Sequence, residues 1–121
     1  MVTFSSRSHS LPAFQAEARS VTFAGSRHRS LPTYVTRSLV HVFGTLDFGF
    51  LTGCARGVDA SFRGAFSASA YRERCFVACA FDSAVRRASF GNLDSARVVP
   101  NGLTPAAALH RRTLWMVRRS S

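Results

Sequence analysis

The sequence predicts an α/β fold in which helices form the two outer layers around a short, mostly parallel β-sheet. Short apolar runs alternate along the chain with segments whose apolar residues recur at helical spacing, which is typical of βαβ units. Two of these runs end at a glycine, where a strand can turn directly into a helix. A third run, residues 75–81, is apolar throughout, as a strand buried on both faces should be. Together these features predict a Rossmann-like domain of three layers.

The first two strands and the helix between them account for the first half of the domain. Residues 21–24 are β-prone and stop at Gly25, and residues 49–52 form a second run of the same kind. Between them, apolar side chains recur at helical spacing over residues 31–43, which indicates a helix with one buried side. Ser30 stands directly before this segment and is expected to cap it.

The second half continues the alternation less regularly. Thr104 followed by Pro105 is a typical helix start, with threonine as the cap and proline in the first turn. The predicted elements of this half, in chain order, are a helix over residues 59–70, the strand over 75–81, a short helix over 83–90, a short strand over 96–99 and a helix over 105–118.

The N-terminal stretch lacks this alternation. It carries a near copy of the first strand, because Val2-Thr3-Phe4 recurs as Val21-Thr22-Phe23 with similar residues after each copy. Chance in a biased composition, a partial duplication, or a start upstream of the domain would each explain the copy. We expect residues 1–19 to be a disordered appendage and residues 20–121 to form one domain.

Composition and charge restrict the class of protein. Hydrophobic residues make up 46% of the chain and charged residues 18%, which is globular composition and excludes a disordered chain. All 16 basic residues are arginine, and GC-rich coding DNA is the simplest explanation for the absence of lysine. Independently of that bias, the net charge of +10 would attract polyanions. No apolar run is long enough for a membrane helix. The scattered cysteines and histidines have no metal-ligand spacing, so we predict no metal site and expect a reducing cytoplasm.

Both glycine-containing turns fall where a strand leads into a helix. In a parallel sheet such turns meet at the carboxyl edge, where anionic ligands bind against helix N-termini. Glycine lets backbone N–H groups approach an anion closely and arginine adds a positive charge, while Asp59 can cap the helix or accept a hydrogen bond from a ribose hydroxyl. A single Gly-Ser-Arg is usually an ordinary turn, whereas two such turns after consecutive strands indicate a phosphate site.

The two turns also resemble the SLOG superfamily, which includes the DNA-processing protein DprA and the LOG phosphoribohydrolases. The similarity lies in Gly25-Ser26-Arg27 after the first strand and in Gly53-Cys54-Ala55-Arg56-Gly57-Val58-Asp59 after the second. Cys54 stands where the family usually has a second glycine. The last helix is similar to a family helix with an arginine pair, which implies that Arg111 or Arg112 faces the ligand. The predicted ligand-binding residues are Gly25, Ser26, Arg27, Gly53, Cys54, Ala55, Arg56, Gly57, Asp59, Arg111 and Arg112.

The leading functional hypothesis is binding of a nucleotide or nucleotide-derived phosphate ligand at the two turns. One alternative is DprA-like single-stranded DNA binding in recombination or DNA uptake, and another is a truncated LOG-like nucleotide hydrolase. No part of the sequence matches the C-terminal Pro-Gly-Gly-x-Gly-Thr motif of the LOG enzymes. We therefore predict no catalytic residue and no cofactor, and lean against an enzyme.

The resemblance also implies an incomplete sheet. In the relatives a further strand follows the last helix and lies beside the first strand, and this sequence shows no such strand after residue 118. We expect the strand over 21–24 to be unpaired on one side, which favours self-association. The Val2-Thr3-Phe4 copy is one candidate for filling the gap.

Overall fold

The computed structural model describes residues 2–5, 19–88 and 93–120. Its elements, in chain order, are β1 (Val2–Ser5), β2 (Ser20–Phe23), α1 (Thr33–Thr45), β3 (Gly49–Gly53), α2 (Val58–Ser67), a short 3-10 helix (Arg72–Arg74), β4 (Cys75–Cys79), α3 (Asp82–Ala88), β5 (Asp94–Arg97) and α4 (Pro105–Ser120). Among these residues, no helix has both the length and the apolar character that crossing a membrane requires.

The five strands form one sheet in the order β1-β2-β3-β4-β5. The strands from β2 to β5 are parallel, whereas β1 is antiparallel to β2. Helices α1, α2 and α3 pack on one face of the sheet, and α4 crosses the other face. The predicted three-layer α/β fold is therefore confirmed, as is the parallel arrangement of the strands predicted over 21–24, 49–52 and 75–81.

The larger part of the core lies between the sheet and α1 and α2, and phenylalanine dominates it. Alternate residues of β2 and β3 point to this side, and Phe23, Phe50, Phe62 and Phe66 are each at most 2% exposed. The rings of Phe23 and Phe62 stack with their centroids 4.3 Å apart. The ring centroids of Phe50 and Phe66 are 4.8 Å apart. Because such pairs add to the stability that buried area provides, they fix the position of α2 on the sheet.

Helix α4 covers the opposite face. Met116 is fully buried against Leu51 and Phe76. The end of the helix is also held by polar contacts with β2, because the buried hydroxyl of Thr22 donates to the carbonyl of Met116 at 3.3 Å and contacts the hydroxyl of Ser120. The helix thus provides hydrogen-bond partners for the buried polar side chain that it covers.

The side of β2 that was expected to be unpaired is occupied by β1, so that expectation is wrong and the Val2-Thr3-Phe4 copy fills the gap. Val2 lies opposite Phe23 and Ser5 opposite Ser20 in antiparallel register. Residues 2–5 of the expected appendage therefore belong to the sheet and are not disordered, while residues 6–18 lie outside the described part of the chain. The physical reason is the repeat itself, because both Val-Thr-Phe copies have the same tendency to form a strand.

The start of α1 differs from the predicted one, whereas the start of α4 agrees. Ser30 does not cap α1, which begins at Thr33 after Pro32 in an extended conformation. The residue before a proline is disfavoured in the helical region, so the helix does not extend back to Ser30. At α4, the Thr104 hydroxyl accepts a hydrogen bond from the Ala107 N–H at 3.3 Å, as a cap residue does.

Other boundaries shift by a few residues. The strand predicted over 75–81 ends at Cys79, because the N–H of the next residue, Ala80, donates to the Cys54 sulfur and not to a strand. The strand predicted over 96–99 is Asp94–Arg97. The helix predicted over 59–70 ends earlier, at Ser67, and residues 89–90 of the helix predicted over 83–90 lie outside the described residues.

The phenylalanine stack predicts a large stability difference between two aromatic positions. Phe62→Ala should lower the free energy of unfolding by about 3–5 kcal/mol, because it removes a buried ring and leaves a cavity. Tyr34→Ala is the matched control, since that ring is 74% exposed, and should change stability by less than about 0.5 kcal/mol. Urea denaturation followed by circular dichroism measures both. Equal losses would contradict the placement of α2 on the sheet.

Candidate functional site

The two predicted turns meet at the carboxyl edge of the sheet. The N–H of Val58, the first residue of α2, donates to the carbonyl of Ser26 at 3.0 Å. Gly57 makes this approach possible: its φ is +75°, and a Cβ there would lie 2.2 Å from the same carbonyl. Gly25 lies beside the Val58 side chain, which a Cβ on Gly25 would meet at 3.0 Å. The first turn is therefore packed directly onto the start of α2.

The first turn is exposed, and hydrogen bonds hold its backbone near both ends. Ser26 uses its hydroxyl locally, because Oγ accepts a hydrogen bond from the His28 N–H at 3.0 Å. At the far end, the Leu31 N–H donates to the hydroxyl of Ser61 on α2 at 3.1 Å. Arg27 is exposed between these two anchors. The turn thus presents the Arg27 side chain to solvent from a held backbone.

A buried ion pair lies beneath the second turn. Arg112 of α4 and Asp59 of α2 are 3.2 Å apart, with 6% and 2% of their side chains exposed. The same Asp59 oxygen accepts a hydrogen bond from the Ala55 N–H at 3.2 Å. Gly53 leaves room for the pair, since a Cβ there would lie 2.1 Å from the Arg112 guanidinium. The backbone of the turn is therefore fixed by charged side chains from two helices.

A second buried arginine supports the same turn. Arg63 donates to the carbonyls of Gly53 at 2.7 Å and Ala55 at 2.8 Å. Burial raises the pKa of Asp59 and lowers the pKa of Arg63, and the attraction between their opposite charges opposes both shifts. Arg63 is not among the site residues predicted from the sequence, although its place one helical turn after Asp59 puts both residues on the same side of α2.

Three predicted site residues have other positions than expected. Asp59 does not cap α2, whose N-cap is Gly57, and its carboxylate is engaged by Arg112. Arg112 is 5% exposed and holds the turn from behind. Arg111 is exposed and lines a different cavity, with Trp115 and residues 98–100, on the far side of α4. The structure thus brings together the residues of the two turns and Arg112, but not Arg111.

A cavity of about 280 Å³ opens at the turns, lined by Arg27, Cys54, Ala55, Arg56, Phe81 and Leu109. Its volume is close to the lower end of small-molecule sites. Two larger grooves, of about 410 and 350 Å³, run along α1 and α2 and share Arg37. We take the smaller cavity as the candidate site, because it lies at the carboxyl edge of parallel strands and receives an exposed arginine from each turn. Phe81 and Leu109 belong to no motif and are not among the site residues predicted from the sequence.

Cys54 is a functional candidate of a different kind. Its sulfur accepts hydrogen bonds from the Ala80 N–H and from the Arg112 guanidinium, each at 3.5 Å. A hydrogen bond from the Cys79 thiol, with these two donors and the positive charge of Arg112, lowers the pKa of Cys54 to about 5 despite partial burial. From the sequence, Cys54 is predicted only as a ligand-binding residue of the second turn and as a departure from the usual glycine, not as a reactive thiol.

No family model, curated protein or solved structure matches the chain.

The contact between the turns can be tested at Gly57. Gly57→Ala should destabilise the fold by about 1–3 kcal/mol, because a side chain at positive φ is strained and its Cβ would collide with the Ser26 carbonyl. Gly64→Ala is the matched control: nothing lies within 4 Å of its added Cβ, and alanine should stabilise the exposed helix by up to about 1 kcal/mol. Chemical denaturation compares the two. A neutral Gly57→Ala would mean that the turns do not touch.

The adjacent arginines of α4 give a second test. Arg112→Ala leaves Asp59 buried without its cation and should reduce the free energy of unfolding by about 3–5 kcal/mol. Arg111→Ala removes an exposed side chain and should stay within about 0.5 kcal/mol. Thermal and urea unfolding provide the comparison, and the opposite ranking would show that α4 is rotated on its axis relative to this structure.

Proposed function

We propose that the chain binds a nucleotide or nucleotide-derived phosphate ligand in the cavity at the two turns. The observation that carries the proposal is that Arg27 and Arg56, from separate turns, line one cavity at the carboxyl edge of parallel strands. This edge is where α/β sheets commonly bind anionic ligands. The SLOG-like pattern of the two turns supports the same proposal.

The two arginines suit a phosphate. Both are exposed, and among the described residues neither forms an ion pair. A guanidinium can donate two hydrogen bonds to two oxygens of one phosphate, which gives orientation as well as attraction. Arg63 and Arg112 differ, because they are buried and hold the turn. The site therefore separates arginines that shape the backbone from arginines that are available to a ligand.

The rest of the cavity suits the uncharged part of a nucleotide. Phe81 follows β4 and Leu109 belongs to α4, so part of the cavity lining is apolar. An aromatic or aliphatic surface beside a phosphate group can contact a ribose or base without competing for its charge. A volume of about 280 Å³ favours one phosphate with part of a nucleoside over a dinucleotide. Free thiols at all three cysteines support our further proposal of a reducing, cytoplasmic compartment.

Single-stranded DNA is the second candidate ligand. Arg29 is also exposed in the first turn, so it adds a third positive charge beside Arg27 and Arg56 at the same edge of the sheet, and the whole chain carries a net charge of +10. A line of exposed arginines can follow a phosphate backbone. The salt dependence of binding distinguishes this candidate from a small ligand that is held by one phosphate.

Titration calorimetry with ADP, AMP and inorganic phosphate tests the proposed site. Arg56→Ala should weaken the binding of these ligands by about ten- to hundredfold, because a hydrogen bond from a charged donor is lost. Arg37→Ala is the matched control, since it is also exposed but lines the grooves on α1 and α2, and should leave affinity unchanged.

Each other outcome has a definite meaning. Loss of affinity in Arg37→Ala alone would place the ligand in the helix grooves and refute the proposed site. Tight binding of an oligonucleotide, with affinity falling by roughly 0.7 log units per log unit of salt for each phosphate contacted, would favour DNA. No binding of any of these ligands at low salt would refute the proposed function.

A further inference from the structure

Cys54 and Cys79 lie side by side at the carboxyl ends of β3 and β4. Gly53 and Ala78 are paired in the parallel register, so the next residue of each segment is one of the two cysteines. Neighbouring strands are about 4.8 Å apart, which is within the roughly 4.4–6.8 Å Cα separation that a disulfide spans. The two thiols are close enough to share a hydrogen bond, and both are reduced in this structure.

The two cysteines differ in their access to solvent. Cys54 is half-buried and lines the open cavity, so a small molecule that enters the cavity can reach its sulfur. Cys79 is fully buried behind it. Cys75 is also fully buried, but it lies at the opposite end of β4. Cys54 is therefore the thiol that a reagent meets first, and Cys79 is the thiol within reach of Cys54.

The surroundings of Cys54 favour its thiolate. The Ala80 N–H, directly after β4, donates to the Cys54 sulfur, as does the Arg112 guanidinium from α4, and the Cys79 thiol lies within hydrogen-bonding reach. From α2, Asp59 pairs with Arg112, and Arg63 adds a further positive charge. The contacts with Cys79, the Ala80 N–H and Arg112 lower the pKa of Cys54, whereas burial raises the pKa of Cys75. At neutral pH the reactive, accessible form is thus confined to Cys54.

We propose that Cys54 is a hydroperoxide-reactive thiol and that Cys79 converts its oxidised form into a reversible Cys54–Cys79 disulfide. The Cys54 thiolate attacks the terminal oxygen of a hydroperoxide, and the O–O bond breaks. The remaining oxygen leaves as an alkoxide or, from hydrogen peroxide, as hydroxide, and takes a proton from the solvent to give an alcohol or water. Cys54 becomes a sulfenic acid. Its sulfur has been oxidised by two electrons, and the peroxide has been reduced by two electrons.

The second step uses the neighbouring thiol. The sulfur of Cys79 attacks the sulfur of the Cys54 sulfenic acid, the S–O bond breaks, and the hydroxyl group leaves as water with the proton of Cys79. In total, two thiols and one hydroperoxide give one disulfide, one alcohol and one water. A small dithiol or a cellular thiol then restores both cysteines by exchange. A transient disulfide of this kind fits a reducing compartment, where lasting disulfides are rare.

Peptide mapping of the full chain tests the disulfide directly. The reduced, folded protein is treated with equimolar hydrogen peroxide at pH 7, blocked with N-ethylmaleimide under denaturing conditions, and analysed by intact mass and digestion. We expect the loss of two hydrogens, a peptide pair joined through Cys54 and Cys79, alkylated Cys75, and full reversal by dithiothreitol. Persistence of all three free thiols, a disulfide that includes Cys75, or only intermolecular disulfides would overturn the proposal.

Two variants assign the roles of the cysteines. Cys79→Ser should leave a sulfenic acid on Cys54 that dimedone traps, with no intramolecular disulfide. Cys75→Ser, the matched control on the same strand, should form the disulfide as the unaltered chain does. A disulfide in Cys79→Ser would refute the role of Cys79. If a variant does not fold, mapping of the unaltered chain still decides the proposal.

The pH dependence of alkylation gives an independent measure. Because the pKa of Cys54 is lowered to about 5, its thiolate is about nine-tenths formed at pH 6 and is lost as the pH falls through 5. At pH 6 Cys54 has a much larger thiolate fraction than an ordinary thiol, but a low-pKa thiolate is a weaker nucleophile. The net result should be that Cys54 in the folded protein reacts with iodoacetamide about ten times faster at pH 6 than an ordinary thiol. A rate that keeps rising through pH 8.5 would overturn the role of Cys54.

Discussion

The buried pair of Asp59 and Arg112 is the interaction on which the arrangement at the carboxyl edge depends. It joins α2 to α4 through the sheet edge, so it connects the helices of the two outer layers. A buried pair is not in itself a large source of stability, because desolvation offsets much of the attraction. Its effect is on geometry: Gly53 must lack a side chain, the Ala55 N–H must turn inward, and Cys54 must lie against the guanidinium. The shape of the cavity follows from these requirements.

Local sequence signals predict most of the fold. The apolar run of β4, the helical spacing of α1 and the Thr104-Pro105 start of α4 are each determined within a few residues, and all three elements form. The Val2-Thr3-Phe4 copy was a candidate neighbour of the first strand, but its strand tendency alone determines neither that pairing nor its antiparallel register. The absence of a Ser30 cap also depends on context, since Pro32 controls the backbone before it.

The candidate site, like the fold, could be predicted from the sequence only where local residues determine it. Glycines at strand ends predict where the turns lie, because their conformational freedom is a local property. Which of Arg111 and Arg112 points inward depends on the rotation of α4, and consecutive residues of a helix differ by about 100° in direction. Sequence spacing alone does not fix that angle. The neighbourhood of Cys54 and Cys79 was likewise hidden, because it depends on the register between two strands that a helix separates in the chain.

The placement of α4 has a consequence for how the chain folds during its synthesis. Among the described residues, α4 is the only helix that packs on the face of the sheet carrying Leu51 and Phe76, and it follows every strand in the sequence. The first face can be covered as soon as α1, α2 and α3 have left the ribosome. The second must wait for α4 and meanwhile presents apolar side chains to the cell. Nascent chains with such an uncovered face are the ones that chaperones bind, and a pause in translation before α4 would prolong that exposure.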